Sequence, residues 1–187
     1  MPVHSIPLRT SGLSRTGEPH WLAGQREALI RRLEAKGCSA AVLQLLAAVP
    51  RHLFVPPDLI NLSYDDSALP IADGQTISQP STVALQTQAL QAEPGMRVLE
   101  LGTGSGYQTA VLVQASLQVF SVERSRTLHL AAARTLNHYG WQATLKLGDG
   151  TLGWDTYAPF DRILVTAGGP VVPKALLVQL AVGGRLV

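Results

Sequence analysis

Apolar positions follow two patterns along the chain, and the change between them falls near Arg97. Before that point the period is helical. Leu22, Leu29, Ile30 and Leu33 share one side of a helix predicted over 21–36, and Gly37 suits the turn that ends it. Ser39 can cap a second helix that runs through Val49 and stops at Pro50. Residues 57–79 form a long connection, and such a length inside a domain marks a functional or a disordered loop. Leu69, Ile71 and Ile77 predict that this one packs. Pro80 suits the first position of a helix reaching about Gln91, with Ser78 or Gln79 near its N-cap.

From Arg97 the pattern alternates. Apolar strands are predicted over 97–101, 118–123, 143–147 and 161–166. Helices are predicted over 107–115, 125–139 and 173–180, followed by Gly183–Val187. This alternation predicts an α/β fold, a doubly wound and mostly parallel sheet with right-handed crossovers. Ligands of such sheets bind at the carboxyl ends of the strands. Residues 1–19 are rich in Ser, Thr, Pro, Gly and Arg without an apolar period and are expected to form a mobile arm. That leaves 20–187 as a single domain, with helices and a long loop over 20–80 and an α/β core over 81–187.

Composition narrows the function classes. Apolar residues make up 46% of the 187 positions and charged ones 15%, which supports a sizeable core and excludes general disorder. The net charge is +2 with Lys and Arg scattered, which argues against nucleic-acid and anionic-membrane partners. Cys38 is the only cysteine, so no intrachain disulfide can form, and a reducing compartment fits. No apolar run approaches the ~18 residues of a membrane span, and the start of the chain lacks a signal-peptide core. The expectation is a cytoplasmic protein with no membrane partner. The histidines show neither triad nor metal-ligand spacing, so no metal is expected.

The candidate chemistry lies in Val98-Leu99-Glu100-Leu101-Gly102-Thr103-Gly104-Ser105-Gly106-Tyr107. A strand enters three alternate glycines and a helix leaves them. Glycine admits positive φ and lets a ligand approach the backbone, and the helix start favours a negative group. The turn is therefore suited to a nucleotide-like cofactor. Glu123, at the end of the next strand, can accept both ribose hydroxyls. Asp149 stands between Gly148 and Gly150, where a short acceptor suits an adenine amino group. Glu100 lies within an apolar strand, where an unpaired carboxylate is costly. It is expected to bond the glycine-loop backbone or the cofactor's amino group, with a merely structural bond as the equal alternative. On these grounds NAD stays open. An acid before the glycines, and a turn late in the chain, favour S-adenosyl-L-methionine.

Beyond this turn, the segments RHLFVP (51–56), YDDSALPI (64–71), GQTISQP (74–80), VLELGTGSGY (98–107), SVER (121–124), GDG (148–150), FDRILVTA (160–167) and GGRLV (183–187) occur in one order. In these the chain resembles the protein-L-isoaspartate O-methyltransferase family over about residues 20–187. The resemblance implies methyl transfer from S-adenosyl-L-methionine to the free α-carboxylate of L-isoaspartyl residues in damaged proteins and peptides, leaving S-adenosyl-L-homocysteine. It implies Ser78 as the catalytic residue. Thr76, Ile77, Ser78, Glu100, Gly102, Thr103, Gly104, Ser105, Gly106, Glu123, Arg124, Asp149 and Gly150 would then surround the cofactor. Leu69, Pro70, Ile71, Val165, Thr166 and Ala167 would wall the substrate site, and a monomer is expected.

The family continues past GGRLV with further strands, so the C-terminal strands are expected to be missing here, leaving a sheet edge open to association. Two rival readings remain at this stage. One is another S-adenosylmethionine methyltransferase, acting on a small molecule or RNA. The other is a non-catalytic binding module. The GQTISQP segment and the lack of basic clustering count against the first.

Overall fold

The computed structural model describes residues 19–169 and 171–187, so the arm expected over 1–19 lies outside them except for Pro19. Helix α1 (His20–Ala35) buries Leu22, Leu29 and Leu33. Helix α2 (Ala40–Ala48) begins at Ser39, whose hydroxyl accepts the Val42 N–H at 3.4 Å, and ends one residue before Pro50. The long connection is not irregular. It makes short 3-10 segments and a small antiparallel hairpin, β1 (Leu69–Pro70) against β2 (Thr76–Ile77). Helix α3 (Pro80–Leu90) starts on Pro80 and closes at Gln91 in the left-handed region.

The remaining elements alternate as the pattern predicts: β3 (Arg97–Leu101), α4 (Tyr107–Gln114), β4 (Gln118–Glu123), α5 (Arg126–Tyr139), β5 (Thr144–Leu147), β6 (Phe160–Val165), α6 (Lys174–Gln179) and β7 (Leu180–Leu186). All neighbouring strands of the main sheet pair in parallel, in the order β5-β4-β3-β6-β7. Gly183–Val187 lies largely inside β7, beside β6, rather than in a separate tail.

Both faces of the sheet are covered. Leu99, Leu101, Phe120, Val122, Phe160 and Ile163 pack with Leu176 of α6 on one face. Val98, Val119 and Leu164 pack with Leu90 of α3 and Leu112 of α4 on the other. A further apolar cluster runs from Leu22 and Leu46 through Phe54 and Val83 to Tyr107, Val111 and Leu136, so the first two helices share a core with α3, α4 and α5. Side chains alternate along a strand. Glu100, Ser121 and Glu123 therefore share the face of Val98 and Val119, and register places Glu100 opposite Ser121. A buried polar file thus runs along the carboxyl ends of the two central strands. Among the described residues no helix is long and apolar enough to cross a membrane.

Candidate active site

The carboxyl ends of β3, β4 and β6 meet at the glycine turn. Gly102 adopts φ +96°, and a Cβ there would fall 2.9 Å from Thr166 Oγ1. The Thr166 hydroxyl lies 2.7 Å from both the Leu101 and the Gly102 carbonyl oxygens, and its N–H donates to Leu101 O at 2.9 Å. The end of β6 is thereby fastened to the start of the turn. Gly106 adopts φ +89°, and a Cβ there would press on Leu136 and Ala132 of α5 at 3.3–3.4 Å. In both places the side chain is excluded by close packing as well as by backbone conformation.

Glu123 holds the middle of the turn. It is 5% exposed. Its Oε2 accepts the Gly104 N–H at 2.8 Å and its Oε1 accepts the Ser125 N–H at 2.8 Å. Each carboxylate oxygen offers two lone pairs, so each keeps one for a ligand. Ser125 caps α5 by accepting the Leu128 N–H at 3.1 Å, and its hydroxyl also bonds Asp73 of the hairpin.

Glu100 is fully buried beneath the turn. Its bond is a structural one, to α4 rather than to the glycine-loop backbone. The Thr109 hydroxyl of α4 donates to Oε2 at 2.5 Å, because the side chain points from the strand toward that helix. Among the described residues its Oε1 has no hydrogen-bond partner. Burial pushes the Glu100 carboxyl up to about 7; the nearby Glu123 carboxylate adds to the push, and the Thr109 and Ser121 hydroxyls oppose it. Thr103 and Ser121 bond each other through their hydroxyls at 2.6 Å. Gln108 donates to Thr87 Oγ1 at 3.1 Å, and its own buried carbonyl oxygen is unpartnered.

The hairpin forms the roof. Leu69 pairs with Ile77, both buried, and Ile71 Cδ1 comes within 3.9 Å of where a Gly104 Cβ would stand. Behind it lies Arg51, fully buried. Arg51 Nη1 donates to Ser63 O at 2.5 Å, and Nη2 donates to Ser67 O and Ser78 O, each at 3.1 Å. Burial lowers the guanidinium from its ordinary value, while Tyr107, Asp66, Tyr64 and Asp65 oppose that shift. Gln79, not Ser78, is the N-cap of α3, and its side chain does not cap the helix. Asp66 does so from a distance: its Oδ1 accepts the Ser81 N–H at 2.8 Å and its Oδ2 accepts from Lys36 Nζ at 2.5 Å.

One cavity is lined by Thr76, Ile77, Ser78, Gly102, Thr103, Gly104, Ser105 and Thr166, together with Val83, Tyr107 and Gln108. Its volume of about 40 Å³ is far below the ~300–1,000 Å³ of most small-molecule sites. A larger groove of about 480 Å³ between α1 and Tyr64–Asp65 shares none of these lining residues and lies away from the strand ends.

Not every expected residue meets this cavity. Leu69 is turned into the core and Pro70 outward, while Ala167 is exposed beside Gly102. Val165 is half-buried and packs on the α6 face of the sheet. Gly106 and Glu123 support the turn from the α5 side. Arg124 is exposed at the end of β4. Gly150 packs on Leu101 at the neighbouring strand end. Asp149 is exposed, and its Oδ1 is taken by the Thr151 N–H and hydroxyl at 2.9 and 2.8 Å. Those bonds hold its carboxyl below the ordinary range. Arg51, Tyr107, Gln108, Thr109 and Ser121 were not anticipated as part of this constellation.

The profile of the protein-L-isoaspartate(D-aspartate) O-methyltransferase family matches residues 24–187. The chain belongs to this family. A protein-L-isoaspartate O-methyltransferase of Cytophaga hutchinsonii is 48% identical over 165 residues, covering 88% of this chain and 75% of the relative. A solved protein-L-isoaspartate O-methyltransferase superposes with a TM-score of 0.79 at 34% identity over 86% of this chain. The chain spans 54% of that protein's length. A Plasmodium falciparum chain solved with S-adenosyl-L-homocysteine has the same fold, with a TM-score of 0.75 at 22% identity.

The family's cofactor is S-adenosyl-L-methionine, which carries an ammonium, a carboxylate, ribose hydroxyls and a sulfonium cation. The residues present fit it. Spare lone pairs on Glu123 suit the hydroxyls, and the unpartnered buried acceptors at Glu100 Oε1 and Gln108 Oε1 suit cationic and donor groups.

Proposed function

We propose that this chain methylates the free α-carboxylate of L-isoaspartyl residues in damaged proteins and peptides, as its family does. The observation that carries this reading is the hairpin from the GQTISQP segment. It places Thr76, Ile77 and Ser78 in the same cavity as Gly102–Ser105 and Thr166. A nucleoside-binding turn and a segment particular to this family thereby share one space.

Bound S-adenosylmethionine supplies an electrophilic methyl group on sulfonium. The protein's part is positional. The attacking carboxylate is already ionised at neutral pH, so no strong general base is required. Ser78 orients that carboxylate through its hydroxyl, supported by its place on the cavity wall beside Gly102–Ser105. Glu123 holds the ribose, Gly102, Thr103, Gly104, Ser105 and Gly106 present the open backbone, and Thr76 and Ile77 cover the cofactor. Glu100 faces the amino-acid end, and Arg124, Asp149 and Gly150 border the adenine end. Leu69, Pro70, Ile71, Val165, Thr166 and Ala167 shape the substrate side. Closing the hairpin excludes water and holds the reacting atoms at attack distance. The product ester collapses to a succinimide, whose hydrolysis partly restores aspartate.

The same reading takes 20–187 as one domain, supported by the apolar cluster that joins Leu22 to Leu136. It places the enzyme in the cytoplasm as a monomer without a nucleic-acid partner, supported by the lone cysteine and the scattered basic residues. The test is methyl transfer from labelled cofactor to two peptides that differ only in Asp against isoAsp. Labelling of the isoaspartyl peptide alone is expected. Equal labelling of the pair, or labelling of RNA instead, would overturn the assignment.

A further inference from the structure

The residues that line the cavity are uncharged, while the ligands assigned to it carry carboxylates. On the α4 side, beneath the turn, lie the Glu123 carboxylate, which repels an anion, and the buried Glu100 carboxyl. A charge of the opposite sign lies behind the other wall. The Arg51 guanidinium is fully buried and, among the described residues, makes no hydrogen bond to a carboxylate. Among the described residues each of its partners is a backbone carbonyl, and its Nε has none. Burying a cation in this manner is costly, and an apolar side chain of similar volume commonly serves packing as well or better. Arg51 also joins distant parts of one loop. Its Nη2 bonds both Ser67 O, before the hairpin, and Ser78 O, after it. The guanidinium fork fixes several acceptors in one plane, which an ammonium cannot do.

We propose that Arg51 is the substrate-positioning cation of this site: it clamps the hairpin base at Ser67 and Ser78 and sets a positive potential behind Ser78, where the isoaspartyl carboxylate docks. The proposal rests on the methyltransferase reading above. It divides the site electrostatically, with carboxyls facing the cationic end of the cofactor and a guanidinium backing the anionic substrate. Arg51 acts through Ser78 and touches no reacting atom.

The test compares wild type, Arg51→Met and Arg51→Lys in steady-state methylation of an isoaspartyl peptide. Binding of S-adenosylhomocysteine is measured by calorimetry and folding by circular dichroism on the same samples. Arg51→Met is expected to raise the peptide KM at least tenfold and to lower kcat, since misplacement of a reacting group by about 1 Å can cost 10²-fold. Its cofactor affinity is expected to stay within twofold of wild type. Arg51→Lys, which keeps the charge but not the fork, is expected to recover much of the KM and less of the kcat. A folded Arg51→Met or Arg51→Lys variant with a lowered melting point and unchanged KM and kcat would overturn the proposal. Failure of both variants to fold would also overturn it, by making Arg51 structural. If wild type itself leaves the isoaspartyl peptide unlabelled, the functional reading fails instead.

Discussion

The Glu123 carboxylate accepts the Gly104 N–H at 2.8 Å, so the acid at the end of β4 shapes the glycine turn. The same side chain accepts the Ser125 N–H at the start of α5. A residue assigned to the ribose is thus also part of the scaffold. Glu123→Gln turns one acceptor oxygen into a donor facing an N–H. It is expected to weaken S-adenosylhomocysteine binding by roughly 2–3 kcal/mol, the upper scale for hydrogen bonds to a charged group, and to lower the melting temperature as well. Calorimetric titration and thermal melting of one sample check both. Unchanged affinity in the folded variant would remove Glu123 from the cofactor site.

Glu100 predicts a pH dependence of unusual sign for a carboxyl. In the unfolded chain it ionises at its ordinary 4.5, but folded it keeps its proton up to about 7. Between those values the native state binds the extra proton, so its contribution to stability is full below about 4.5 and is lost as pH rises through about 7. The slope is at most about 1.4 kcal/mol per pH unit. Glu100→Gln still accepts from Thr109 and carries no charge. It is expected to match wild type at pH 4.5 and to exceed it in stability at pH 8. Urea unfolding at the two pH values tests this, and an unchanged difference between them would contradict it.

Asp66 has the opposite sign. Burial alone would raise its carboxyl, but the bonds from Lys36 and Ser81 together outweigh that and hold it below the ordinary range. Its stabilising effect is present above the unfolded pKa and is lost as pH falls through the lowered one. Asp66→Ala should cost about 1 kcal/mol for the lost cap on α3, with little more from the partly exposed Lys36 pair. Asp66→Asn, which can still accept the Ser81 N–H, should cost less. Equal losses in denaturant titrations would show that the cap contributes nothing.

Local signals made the sheet legible. Strands β3 and β4, the glycine turn and the cap at Ser39 are each written in a few adjacent residues. The hairpin was not legible, because its two-residue strands are too short for a period. It also needs Asp73 at φ +55°, a conformation that glycine more commonly supplies. Arg51 was hidden for another reason. Its partners at Ser63, Ser67 and Ser78 are carbonyls, which carry no side-chain signature, and they lie 12 to 27 residues away. The one available hint was an arginine in the apolar stretch between Val49 and Val55. At Asp149 one carboxylate oxygen closes a local turn on Thr151, a structural role that a GDG segment also allows.

Ser78 separates the catalytic reading from a structural one. Its carbonyl is held by Arg51 at 3.1 Å, and it borders the cavity beside Gly102–Ser105. Asp66 supplies the side-chain cap for the first turn of α3, so the Ser78 hydroxyl is not needed there. Ser78→Ala removes only that hydroxyl and leaves the carbonyl bonded to Arg51. Stability should therefore change by less than the ~1 kcal/mol of a lost cap. If the hydroxyl orients the substrate carboxylate, single-turnover methylation should fall ~10- to 100-fold with cofactor affinity nearly intact. That is a positioning loss, far smaller than removal of a covalent nucleophile. Thermal melting and single-turnover transfer on one sample give the answer. A lowered melting point with an unaltered rate per folded molecule would return Ser78 to a structural role and leave carboxylate positioning to the Arg51-clamped backbone alone.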